Sequence, residues 1–126
     1  MAAVELVLTL ALIEYWLMGF LAGRARLKYG VAAPATSGHP TFERYYRVHQ
    51  NTLEQLMVFV PALLIFALGG EIEGAIVLGA LFILARLIYA VGYIRNPDLR
   101  YYGAGATSLI NGVLLVGALI VLSHRL

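Results

Sequence analysis

Cysteine is absent from the chain, which excludes disulfides, a thiolate zinc site and a cysteine nucleophile in the protein itself. Histidine is scarce: His39, His49 and His124 lie far apart and show no metal-ligand spacing, so no metal is expected. A Gly-rich phosphate loop is missing too. Gly69-Gly70 and Gly103/Gly105 read instead as helix ends and turns. Charge is thin, at 13% of residues against about 25% in a soluble domain. The net charge of +2 does not point to nucleic acid, because the basic residues are distributed like membrane-border anchors.

What the chain has in quantity is apolar length, with 61% of residues hydrophobic. Four stretches, Ala3–Ala22, Thr52–Gly69, Gly74–Ile94 and Gly105–Leu122, each come near the roughly 20 residues that span a bilayer as a helix. The expectation is an all-α integral membrane protein, one four-transmembrane-helix bundle over residues 1–126 with no soluble appendage. The first stretch lacks a basic leader and carries Glu5 and Glu14, so it reads as a retained helix. The connections are a long turn-rich loop at about Gly23 to Thr41, a tight Gly69–Gly74 link and a break at Asn96-Pro97-Asp98. Pro61 is expected to interrupt the second span. Ala75 and Gly79 form a small-xxx-small pair for close helix contact. Arg24, Arg26, Lys28, Arg44, Arg47, Arg95 and Arg100 gather on the side of the first and third connections. By the positive-inside rule that side is cytoplasmic and both termini lie outside.

Two segments crowd polar groups into this oil, FERYYRVHQNTLEQ (Phe42–Gln55) and RLIYAVGYIRNPDLR (Arg86–Arg100). Arg47, Asn51 and Glu54 fall at i, i+4 and i+7, hence on one helical face, and Arg86, Tyr89 and Tyr93 share another. Together they offer guanidinium groups for carboxylates, a carboxylate for an amine, and phenols and amides for peptide groups, matching a small peptide-like anion. The competing reading is architectural: snorkelling arginines, an interfacial belt of Tyr89, Tyr93, Tyr101 and Tyr102, and a Glu54–Arg86 pair fixing the bundle. A charge mid-span costs about 2.5–3.5 kcal/mol, so Glu54 and Arg86 need a reason to be there. Glu14 reads as a structural hydrogen-bonding group, or as the coupling carboxylate if the chain is a small four-helix transporter.

These residues resemble the MAPEG family, the membrane-associated proteins of eicosanoid and glutathione metabolism. Glu43, Arg44, Arg47, Asn51 and Glu54 stand at the family's ER-x-x-R-x-x-x-N-x-x-E spacing. Ala85, Arg86, Tyr89, Gly92, Tyr93 and Arg100 match its A-R-x-x-Y-x-x-G-Y stretch with the arginine seven residues later. The resemblance implies a homotrimer binding glutathione in clefts between subunits near the cytoplasmic face. Arg47, Asn51, Glu54, Tyr89 and Tyr93, with Arg86 beside them, would hold glutathione from one subunit. Arg26 and His49 match positions that contribute from the neighbour. Arg100, with Arg26 as second choice, would stabilise the thiolate. His49 and Gln55 depart from the leukotriene-synthesising branch, and the RVHQNTLEQ segment is most similar to bacterial and microsomal transferase-like members. The implied activity is a detoxifying membrane glutathione transferase, with peroxidase activity as an addition, acting on lipophilic electrophiles or lipid hydroperoxides in a bacterial inner membrane. The alternative within the family is a lipid-binding scaffold without turnover.

Overall fold

The computed structural model describes residues 1–126 as four long helices. They are α1 (Ala2–Lys28), α2 (Pro40–Leu68), α3 (Ile72–Arg95) and α4 (Arg100–Ser123), with a 3₁₀ turn, Pro97–Leu99, leading into the last. All four are long and apolar enough to cross a membrane, and their outward faces are correspondingly greasy: Trp16, Phe20, Met57, Leu109 and Leu119 are exposed. Such a surface suits lipid and not water. The chain is an all-helical integral membrane protein.

Three points differ from the sequence expectation, the simplest being that Gly103 and Gly105 lie inside α4 and not at a helix end or turn. The first helix does not stop near Gly23 but runs to Lys28, because Arg24, Ala25, Arg26, Leu27 and Lys28 are all good helix formers. It ends where Gly30 takes a positive φ of 68°, a conformation that suits glycine. Pro61 does not interrupt α2, which continues through it to Leu68. Pro is tolerated within membrane helices because neighbouring helices and local adjustment satisfy the freed backbone groups.

The bundle core is held by Phe59 of α2 and Phe82 of α3, stacked 3.7 Å apart and both fully buried. Val4 and Ala11 of α1 and Leu114 of α4 complete the same cluster. The small pair Ala75 and Gly79 is buried on α3, and a Cβ at Gly79 would collide with Val7. That glycine lets α1 close onto α3. The connection Gly69-Gly70-Glu71 is as tight as expected, with Gly70 at φ 107°.

Candidate functional site

The site is assembled where α2 begins and α3 ends. Pro40 occupies the first turn of α2, and the His39 ring accepts a hydrogen bond from the Thr41 amide at 3.2 Å. Arg44 then donates to the Ile94 carbonyl at 3.0 Å, tying the start of α2 to the end of α3. At the third connection the Asn96 side chain accepts from the Asp98 amide at 3.1 Å. The turn delivers Arg100 to the start of α4. Gly103 is buried, and a Cβ there would fall 2.5 Å from the Tyr89 backbone. Only a residue without a side chain lets α4 press so closely on α3 at this level.

Between these elements lies a cavity of about 360 Å³ lined by Arg47, Asn51, Tyr89, Tyr93, Arg100, Tyr101 and Ala104. The rings of Tyr89 and Tyr93 stack with centroids 5.8 Å apart and nearly parallel planes. Arg47 and Arg100 are exposed, and Arg100 donates to the Tyr101 hydroxyl at 3.0 Å while lying over that ring. Two guanidinium groups and no carboxylate line the cavity, so it favours an anion. Tyr101 was read from sequence as part of an aromatic belt; its place in this wall had no signal beyond its position next to Arg100.

Arg86 stands behind the wall, not in it. It is completely buried, with Nε and Nη2 donating to Thr52 Oγ1 at 3.3 and 2.8 Å, Nη2 also to Asn51 Oδ1 at 2.8 Å, and Nη1 to Thr107 Oγ1 at 3.3 Å. Its guanidinium also lies 4.2 Å from the Tyr89 ring centroid. The sequence sets Arg86 beside the ligand; in the chain itself it contacts Asn51 and Tyr89, which do line the cavity. It does not pair with Glu54, which is exposed on the outer surface of α2 and absent from the cavity. Neutral hydroxyl and amide acceptors satisfy Arg86 instead.

The remaining site candidates lie elsewhere in the chain. His49 stacks on Tyr15 of α1 at 4.6 Å, against Gly19. Arg26 donates to the carbonyls of Ala35 at 2.6 Å and Val31 at 3.4 Å and lies over Phe42, holding the loop after α1. Glu14 is half-buried on α1, with one carboxyl oxygen buried and unpartnered. No group of three or more acidic, histidine or cysteine side chains could hold a metal ion.

The model of the MAPEG family matches residues 4–120. An uncharacterized protein of Synechocystis sp. is 43% identical over 121 residues, covering 96% of this chain and 88% of that protein. Human microsomal glutathione S-transferase 2 is 37% identical over 98 residues, 77% of this chain and 67% of its own length. Mouse leukotriene C4 synthase is 33% identical over 100 residues, 76% of this chain and 67% of that protein.

Proposed function

The chain belongs to the MAPEG family, and from that premise we propose that the cavity between α2, α3 and α4 binds glutathione and activates its thiol for attack on lipophilic electrophiles. The observation that carries this reading is the convergence of Arg47, Arg100, Asn51, Tyr89 and Tyr93 on one cavity without a carboxylate among them. Glutathione is a peptide whose carboxylates outnumber its amine. Arg47 and Asn51 offer a charge-assisted donor and an amide for its polar groups, and the stacked phenols offer hydroxyls. The relatives named glutathione S-transferase and leukotriene C4 synthase support the same reaction class.

With no cysteine in the chain, the nucleophile is the ligand's own thiol, and only its thiolate attacks well. A free thiol ionises near pH 8.5, so few such groups are charged at neutrality. Lowering that value by about two units takes roughly 2.7 kcal/mol of preference for the anion. A guanidinium about 4 Å away supplies roughly 4 kcal/mol at an effective dielectric near 20. Arg100, exposed in the cavity and free of any carboxylate, is the group assigned to this task. Peroxidase activity toward lipid hydroperoxides would use the same thiolate.

At about 360 Å³ the cavity is near the lower end for a ligand site, and Glu54 stands exposed in an apolar span. Both facts support completion by a second copy, as a homotrimer with Arg26 and His49 supplied by the neighbour and Glu54 turned toward the shared cleft. The cleft and the basic residues face the cytoplasm of a bacterial inner membrane, with the termini outside. The test is addition of glutathione to the purified protein in mild detergent. Thiolate absorbance near neutral pH and thiol consumption with an electrophile panel are expected, from a trimer by native mass spectrometry. Binding without thiol consumption would favour the lipid-binding scaffold, and absence of binding would refute the site.

A further inference from the structure

A second cavity, on the α1–α3 side of the subunit, is larger and of opposite character. It measures about 640 Å³, and Leu10, Ile13 and Leu17 of α1 face Leu87, Val91 and Ile94 of α3 across it. From Leu10 to Leu21 the helix rises about 16 Å, close to the roughly 15 Å depth of hydrocarbon in one leaflet. Its open end carries Arg95 and Tyr45, and an adjoining hollow lined by Arg24, Lys28 and Tyr29 shares Leu21 and Tyr45 with it. The two adjoin at Leu21 and Tyr45, a groove apolar along α1 with basic residues at its end.

The basic residues at that end are not otherwise engaged. Arg26 is committed to the Val31 and Ala35 carbonyls and Arg44 to that of Ile94. Arg24 and Arg95 have no hydrogen-bond partner in the chain, and Lys28 only approaches the Tyr29 ring at 5.4 Å. No carboxylate neutralises any of the three. A basic pocket between membrane helices at the headgroup level is suited to an anionic lipid head.

We propose that the α1–α3 groove is a binding site for one anionic phospholipid, its head on Arg24, Lys28 and Arg95 and one acyl chain along α1. The site is distinct from the cavity around Arg100 and shares no lining residue with it. Glu14, ten residues and about 15 Å from Arg24 along the helix, is the carboxyl on the groove wall.

The experiment is native mass spectrometry of the intact assembly released from nanodiscs containing equal phosphatidylglycerol and phosphatidylcholine of matched chains. Wild type should retain phosphatidylglycerol preferentially, and each basic residue removed should cost about fivefold in retention. The double variant Arg24→Glu/Lys28→Glu should therefore lose the headgroup preference. Val91→Trp, which fills the groove from its exposed wall, should lower retention of both lipids. Glu14→Gln should keep the preference. Glutathione binding by each variant reports that it is folded, and Arg95→Glu serves as the second charge variant if the double one is not. Inorganic phosphate in excess should not displace the lipid; full displacement would reduce the site to an anion pocket and overturn the acyl-chain assignment. Equal retention of the two lipids by wild type, or unchanged preference in the charge variants, would overturn the proposal. So would disulfide cross-linking between subunits through Val91→Cys, which would make the groove a seam between copies.

Discussion

Arg100 lines the cavity and Arg86 stands just behind its wall; they carry the same charge, yet they are treated in opposite ways. Arg86 is completely buried and held by Asn51, Thr52 and Thr107, whereas Arg100 is exposed and makes its one side-chain hydrogen bond to its neighbour Tyr101. A guanidinium each of whose three nitrogens donates to a protein acceptor is fixed in place and has little to offer a ligand. One left open in a cavity without carboxylates retains its full attraction for an anion. Membrane burial alone therefore does not identify a functional charge; what matters is whether its donors are already taken.

Removing Arg86 should give the largest effect. Arg86→Ala leaves a cavity and strands the Asn51 and Thr52 acceptors, and hydrogen bonds to a charged group are each worth about 1.5–3 kcal/mol. With the cavity added, a loss of roughly 3–5 kcal/mol is expected. Thermal unfolding in detergent should show the variant melting far below wild type or failing to accumulate. Arg86→Lys should restore little, since a point charge cannot reproduce a fork shared among three helices. A variant with wild-type stability and only weakened glutathione binding would return Arg86 to the ligand site.

Arg100→Ala should do the reverse, leaving stability and glutathione binding largely intact while damaging chemistry. If the bound thiol ionises about two units below its ordinary value, losing that shift cuts the thiolate at pH 7 roughly 25-fold. With the thiol's value so depressed, the wild-type rate should be flat above neutrality. The variant's rate should climb with pH toward about 8.5 and regain much of the loss. Stopped-flow thiolate absorbance across pH checks both curves. A variant with wild-type thiolate signal and turnover would remove Arg100 from this role.

Much of this was legible in the sequence, for definite reasons. Hydropathy and length reveal the helices because lipid demands continuous apolar surface. Helical spacing puts Arg47 with Asn51 and Tyr89 with Tyr93, and these four side chains line one cavity. Glu54, seven residues from Arg47, returns to nearly the same angle but about 10 Å further along the axis, so it does not line this chain's own cavity. Spacing could not reveal how Arg86 is held, because periodicity shows which residues share a stripe and not whether facing helices supply acceptors. Thr52 and Thr107, which make its burial tolerable, are ordinary residues in any helix and carry no motif. The reach of α1 was shortened because basic residues near a loop look like loop, though their helix propensity is high.

An intermediate effect is expected at Gly103, whose missing side chain sets the distance between the two helices that carry Tyr89 and Arg100. Gly103→Ala forces a Cβ against the Tyr89 backbone, overpacking that typically costs about 1–3 kcal/mol. The displacement acts on the cavity wall, so glutathione affinity should fall several-fold along with stability. Gly79→Ala makes the comparable collision with Val7 of α1, far from the cavity. It should lower the melting temperature without touching glutathione affinity, as isothermal titration on both variants will show. Equal losses of affinity would mean that the wall is coupled to the whole bundle.

The smallest effect should come from Asn111, a polar residue in the fourth span that belongs to neither arginine's surroundings. Its Nδ2 donates to Gln55 Oε1 at 3.0 Å, joining α4 to α2, while its own Oδ1 is buried without a partner. Interhelical hydrogen bonds within membranes average about 0.6 kcal/mol, because the separated helices also find partners. Asn111→Leu forfeits that bond but also removes the stranded carbonyl, whose burial is itself unfavourable. The two terms oppose each other, so stability should change by less than about 1 kcal/mol in either direction. Glutathione affinity and thiolate absorbance should be unchanged, since the residue does not line the cavity. A double-mutant cycle with Gln55→Leu, read by thermal unfolding, isolates the pair and should return a coupling near the membrane average. Coupling several times larger, or any change in the thiolate signal, would show that the α2–α4 seam reaches the site and that Arg86 does not isolate it from the rest of the bundle.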